Sequence, residues 1–147
     1  IKEFPGNIHN PEILLWATEL GILYDRDEIP WCGLLMAIVC KRANKEIPRS
    51  PLWALNWQHF GEKADVPMLG DVLVFKRKGG GHVGIYVGED KDCYHVLGGN
   101  QGDKVSVVRI KKDRLFAARR PKWKVSQPLS VRPIILSSIG TISGNEG

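Results

Sequence analysis

The sequence has no run of about 18 apolar residues, which is the length that a helix needs to cross a membrane, so we expect no membrane span. It has only three cysteines, and an odd number argues against a disulfide scaffold. Its four histidines are dispersed and lack the close spacing of metal ligands, so we expect no bound metal and no cofactor. The fold must therefore rest on a hydrophobic core.

The chain also lacks a secretory signal pattern, an internal repeat and an initial methionine. Because it begins with Ile1, we expect a processed product or an excised domain. With 147 residues, 43% hydrophobic and 25% charged, it has the composition of one globular domain. We assign residues 1–123 to that domain and 124–147, rich in Ser, Pro and Gly, to a linker or tail that could instead pack on the domain or bind a partner.

Local signals predict helices in the first half of the chain and strands in the second. Asn10 is a helix cap before Pro11, and Gly21 ends that helix. Asp27 or a neighbouring residue can cap a second helix, and Pro30 suits its first position. The predicted helices cover 11–21, 31–44 and 51–60, and the predicted strands cover 71–77, 82–88, 93–98, 104–110 and 114–120. This order indicates an α+β fold with an antiparallel sheet of about five strands.

Cys32 is predicted to lie in the first turn of the second helix, which is apolar on nearly all sides and therefore buried. Free backbone N–H groups at a helix start stabilise a thiolate, so we expect a lowered thiol pKa and a nucleophilic sulfur. The Cys32 N–H is the expected donor to a developing oxyanion. Cys40 and Cys93 are expected to be inert packing residues.

His82 begins a predicted strand after a run of three glycines. Strand alternation puts Val83 and Ile85 on the core face and His82 on the other face. A thiol nucleophile requires a general base, and His82 is the residue that we assign to this role. For the residue that orients the imidazole, the hairpin register favours Asn100, with His95 as the alternative.

Four motifs in order resemble those of NlpC-type and CHAP-type cysteine peptidases, in particular a phage-associated branch of that superfamily. They are Trp31-Cys32-Gly33, Leu69-Gly70-Asp71-Val72-Leu73-Val74-Phe75, Gly81-His82-Val83-Gly84-Ile85-Tyr86-Val87-Gly88 and Leu97-Gly98-Gly99-Asn100-Gln101. The resemblance spans about residues 10–121.

The resemblance implies a papain-like fold, with the nucleophile helix packed on an antiparallel sheet, and cleavage of amide bonds in bacterial peptidoglycan. It also implies a secreted, cell-envelope or phage-associated location, and possible attachment through 124–147 to a larger polypeptide or a phage partner. Family members use a tyrosine before the cysteine near the oxyanion, which makes Tyr24 a candidate for the substrate groove. Apart from the resemblance, Trp31, Trp53 and Trp57 could also line the groove, or could instead be packing residues of the core.

The net charge of +5 is concentrated in residues 111–124, which contain seven basic residues and one acidic residue. Such a segment could bind nucleic acid, an anionic cell wall or a partner, or guard an exposed strand edge. The sequence therefore favours a peptidoglycan hydrolase with a Cys32, His82 and Asn100 mechanism, with nucleic acid an unfavoured partner. The alternatives are an acyltransferase with the same thioester chemistry and a catalytically silent basic module that binds cell wall or nucleic acid.

Overall fold

The computed structural model describes residues 10–24, 30–123, 126–138 and 140–144, and within them the α+β prediction is confirmed. The helices are α1 (Pro11–Leu20), α2 (Cys32–Arg42) and two 3-10 helices, Ala54–His59 and Lys112–Arg114. The strands are β1 (Glu62–Lys63), β2 (Val72–Arg77), β3 (Gly80–Glu89), β4 (Cys93–Gly98), β5 (Ser106–Lys111) and β6 (Leu115–Arg120).

The strands form one antiparallel sheet in the order β1-β6-β2-β3-β4-β5. The sheet has six strands rather than the predicted five or so, because the two-residue strand β1 pairs with the end of β6. A segment that short carries no alternating pattern of its own, so only its pairing with β6 defines it as a strand.

Helix α1 follows its local signals. The Asn10 side chain accepts a hydrogen bond from the Glu12 N–H at 2.9 Å, and Gly21 takes a left-handed conformation with φ of 69°. These are the two capping interactions that the sequence predicts.

Helix α2 departs from its prediction at both ends. It begins at Cys32, with Trp31 in the capping position and, among the described residues, no side-chain cap, so the prediction that Pro30 occupies its first position is wrong. Asp27, the predicted cap of this helix, lies outside the described residues. The helix ends at Arg42, and only Val39 along its apolar stretch is substantially exposed. The prediction that α2 is buried on nearly all sides is confirmed.

Three groups of buried side chains hold these layers together. One group joins α2 to the sheet through Met36, Val72 and Val83, and a second joins α1 to α2 through Trp16 and Leu34. The third lies on the opposite face of the sheet and is formed by the following residues: Ala64, Leu73, Phe75, Tyr86, Tyr94, Val96, Ile110 and Ala118. Both faces of the sheet are therefore buried, and the expectation that only the Val83 face meets a core is wrong.

The described part of the C-terminal segment lies against this third group. Ile134 packs on it and donates its backbone N–H to the Tyr86 hydroxyl at 3.1 Å, and Leu136 donates its backbone N–H to the Glu89 carbonyl oxygen at 2.7 Å. Of the alternatives for 124–147, the described residues therefore show packing on the domain near Ile134.

Candidate active site

Cys32 is the first residue of α2, so its sulfur lies where the backbone N–H groups of the helix have no intrahelical partner. The turn before the 3-10 helix Ala54–His59 packs closely against this end of α2. A Cβ atom at Gly33 would lie 2.0 Å from the Pro51 carbonyl oxygen, so only glycine fits beside the cysteine. The position of Gly33 in the Trp31-Cys32-Gly33 motif thus has a steric reason.

Burial raises the pKa of the Cys32 thiol above its ordinary value. The backbone amides of Val83 and Gly33 and the positive charge of Arg77 lower it by smaller amounts. The expectation of a lowered pKa is therefore wrong. The Cys32 side chain is only 3% exposed, and the loss of solvation raises its pKa more than the N–H groups at the helix start lower it.

His82 lies in β3 opposite Phe75 of β2 and is 1% exposed. The next residue, Val83, brings its backbone amide to the Cys32 sulfur, and Val83 and Cys32 belong to the same group of buried residues. Packing of α2 on β3 therefore brings Cys32 to the residue next to His82, although Cys32 and His82 lie fifty positions apart in sequence.

The partner of the imidazole is Gln101, whose Oε1 lies 2.7 Å from His82 Nε2. The Gln101 amide nitrogen donates to two carbonyl oxygens, that of Val96 at 3.2 Å and that of Ser106 at 2.6 Å. Because carbonyl oxygens only accept, these bonds fix which end of the amide faces the histidine. Oε1 must accept, so His82 Nε2 carries a hydrogen and donates it to Gln101.

Two glycines make room for this arrangement. A Cβ atom at Gly98 would lie 2.5 Å from Gln101 Oε1 and 3.4 Å from His82 Nε2. A Cβ atom at Gly99 would lie 2.8 Å from the ring of Trp31. The Gly98-Gly99 pair thus lets the loop after β4 meet both the histidine and the start of the nucleophile helix.

Asn100 is buried, but the side chain that accepts the hydrogen bond from His82 is its neighbour Gln101. The β3–β4 pairing of Ile85 with Leu97 extends to the predicted pairing of positions 82 and 100. However, β4 ends at Gly98 and Asn100 takes a left-handed conformation with φ of 57°, so strand register no longer decides which side chain reaches the imidazole. Sequence reasoning quoted Gln101 within the motif and did not assign it a role.

His95 bonds to Asp90 instead, with Nε2 and Oδ2 2.7 Å apart. Arg109 donates to the same carboxylate from Nε at 3.0 Å, and its NH1 donates to the Gly140 carbonyl oxygen at 2.7 Å. The hydrogen bonds from Arg109 and His95 hold the pKa of the Asp90 carboxyl well below its usual range. His95 therefore belongs to an ionic group that joins the β3–β4 turn to β5 and the C-terminal segment.

Two of the groove candidates, Trp31 and Tyr24, lie in the core between α1 and α2. Trp31 is fully buried, with its ring centre 6.1 Å from that of Trp16, and Tyr24 is 7% exposed in the same group of residues. Trp31 packs in this core next to the first turn of α2, so its ring does not offer an exposed surface to a substrate. By contrast, Trp53 is 72% exposed and immediately follows the turn that packs on Gly33.

The part of the chain that the structure describes contains no group of three His, Cys, Asp or Glu side chains able to hold a metal ion. Within the same residues, no helix is both long and apolar enough to cross a membrane. All three cysteines are unpaired thiols and all three are buried.

No protein-family model matches this chain, and no curated protein matches its sequence. The resemblance to NlpC-type and CHAP-type peptidases therefore stays a prediction that depends on the four motifs.

Proposed function

We propose that the protein is a cysteine hydrolase of papain-like architecture that cleaves amide bonds in bacterial peptidoglycan. The observation that carries the proposal is the His82–Gln101 hydrogen bond, because an amide oriented by two carbonyl acceptors places a hydrogen on Nε2, which would leave Nδ1 for the role of base. The class of substrate comes from the motif resemblance. So do the peptidoglycan partner and the proposed secreted, cell-envelope or phage-associated location.

In the proposed mechanism, the Cys32 sulfur attacks the carbonyl carbon of the amide while its proton passes to His82 Nδ1. The tetrahedral oxyanion accepts a hydrogen bond from the Cys32 backbone N–H. The C–N bond then breaks, and the leaving amine takes the proton from Nδ1, which leaves a thioester on Cys32. Water, deprotonated by His82, hydrolyses the thioester and restores the thiol. Gln101 keeps the imidazole oriented throughout.

Replacement of the water by an amine gives the acyltransferase alternative, which uses the same residues. The silent binding module is the alternative from another class, and burial favours it, since Cys32 is 3% and His82 1% exposed. The basic surface that this alternative needs, residues 111–124, is less available to a partner, however, because several of its charged side chains form hydrogen bonds or ion pairs within the protein. Arg119 donates to the Phe60 carbonyl oxygen at 2.6 Å, and Arg120 pairs with the Asp71 carboxylate at 2.8 Å.

Digestion of purified peptidoglycan followed by mass spectrometry of the soluble fragments tests the proposal. The wild type and Cys93→Ser should release the same fragments with new amine and carboxyl ends, while Cys32→Ser should release none. Cys93→Ser is the matched control because it makes the same change at a buried thiol in β4. Added free amine that becomes joined to the fragments would identify a transferase. Absence of any release by the wild type, or equal release by Cys32→Ser, would contradict the hydrolase mechanism.

A further inference from the structure

A cavity of about 460 Å³ lies beside the C-terminal half of α2, away from the cysteine at the start of that helix. Its walls are nearly all apolar and include Met36 and Val39 of α2 and Ile85 of β3. Pro128, Ser130 and Val131 of the C-terminal segment also line it. The cavity reaches the surface at Val39, which is 39% exposed. Its volume is in the range of small-molecule binding sites.

A second cavity of about 330 Å³ adjoins it and has a different lining. The two share Lys45, Phe60 and Trp123, and the second adds the charged groups of Lys122 and Glu46 as well as the side chain of His59. Its lining therefore includes two lysines and one glutamate. An apolar space therefore continues into a polar one with a net positive charge.

Lys45 is held at the boundary between the two cavities. Its ammonium nitrogen donates to the Lys122 carbonyl oxygen at 2.7 Å and lies 4.7 Å from the ring centre of Trp123. An ammonium group has three donors, so these contacts leave it able to donate to an anion as well. A ligand that fits both cavities needs an apolar chain and an anionic end near Lys45.

We propose that the adjoining cavities bind a single-chain fatty carboxylate, with its chain in the apolar cavity and its carboxylate at Lys45. Burial of the chain against Met36 and Ile85 supplies the affinity, and the charge of Lys45 supplies the preference for an anion. This site is separate from Cys32, so it does not depend on the proposed hydrolase activity.

Calorimetric titration of the intact protein with dodecanoate, below its micelle concentration, tests the ligand class. We expect one dodecanoate per chain, at least tenfold weaker binding of dodecyltrimethylammonium, and no measurable binding of acetate. The cation has the same chain and the opposite charge, while acetate has the same head and no chain. Equal affinity for the two long-chain ions would overturn the assignment of the head group, and absence of dodecanoate binding would overturn the site.

Two pairs of variants test the location. Val39→Trp should fill the mouth of the apolar cavity and weaken dodecanoate binding at least tenfold, whereas Leu15→Trp, at an exposed apolar position of α1, should not. Lys45→Gln should weaken binding severalfold, and Lys91→Gln in the β3–β4 turn should not. Unchanged binding in both Val39→Trp and Lys45→Gln would place the ligand elsewhere and overturn the proposal.

Cys40 provides a measurement on the unaltered protein, which decides the matter if Val39→Trp does not fold. Its side chain lines the apolar cavity, whereas Cys93 is buried in β4 away from it. Saturating dodecanoate should slow alkylation of Cys40 by N-ethylmaleimide severalfold and leave that of Cys93 unchanged, as measured by mass spectrometry of the tryptic peptides. Equal effects on both cysteines would contradict binding in this cavity.

Discussion

His82 Nε2 and Gln101 Oε1 lie 2.7 Å apart in the buried space between β3 and the loop after β4. The Gln101 amide nitrogen is anchored on the Val96 and Ser106 carbonyl oxygens, so the loop and two strands together orient the imidazole. This makes Gln101, rather than Asn100 or His95, the structural candidate for the third residue of a catalytic triad.

Gln101→Leu should lower kcat by about 100-fold or more, because the imidazole loses the acceptor that selects its tautomer. Asn100→Gly is the matched control: it removes the neighbouring amide at a left-handed position that glycine adopts readily. Its kcat should stay within a few-fold of wild type. Peptidoglycan release and thermal melting would be measured for both. A larger loss in Asn100→Gly than in Gln101→Leu would return the orienting role to Asn100.

Gly98→Ala should reduce turnover by displacing Gln101, since the new Cβ would lie 2.5 Å from Gln101 Oε1. Gly80→Ala makes the same change in β3, where no atom lies within 4 Å of the new Cβ, and should leave kcat unchanged. Turnover at saturating substrate distinguishes the two variants. Equal rates in both would mean that the glutamine tolerates displacement and that its position is not critical.

His95→Ala should lower stability and leave the turnover of the folded protein unchanged. The Asp90 carboxylate would lose one of its buried donors, while the His82–Gln101 bond would keep its partners. Because the folded-state pKa of Asp90 is depressed, its contribution to stability is present above about pH 4 and is lost as the pH falls below that value. Urea denaturation at pH 2.5 and pH 7 measures both effects. A loss of kcat without a loss of stability would show that His95 acts in catalysis.

Stability should fall in alkaline solution because burial raises the pKa of Cys40 to about 11. The unfolded thiol ionises near pH 8.5 and the folded one does not, so the unfolded state is favoured as pH rises from there through about 11. We expect about 2 kcal/mol of this loss to disappear in Cys40→Ala. The two proteins would be compared by urea denaturation at pH 8 and pH 10.5. Identical pH dependence would mean that the Cys40 thiol ionises equally in both states.

Arg120→Gln should destabilise the protein by about 3 kcal/mol, because it leaves the fully buried Asp71 carboxylate without its cation. Lys111→Gln removes an equal charge from an exposed position and should change stability by less than about 0.5 kcal/mol. Chemical denaturation of the two variants measures the difference. Similar small changes in both would place Arg120 among the solvated charges of the basic segment.

The secondary structure was largely predictable because its signals are local. The Asn10 cap and the Gly21 end of α1 depend on neighbouring backbone groups, and alternation in the β2–β3 hairpin needs only a few residues. The existence of strand β1 was not predictable in this way, since a two-residue strand exists only through its pairing with β6. The start of α2 at Cys32 rather than Trp31 also required the structure.

The sequence by itself determined the α+β order and the places of the two residues proposed for catalysis, Cys32 at a helix start and His82 in a glycine-rich hairpin. Only the tertiary structure decided the rest. The left-handed Asn100 redirects the loop so that Gln101 meets the imidazole, which strand register does not predict. Burial of Cys32 raises the pKa that the helix start would lower, because desolvation depends on every layer packed around the sulfur and not on the sequence nearby.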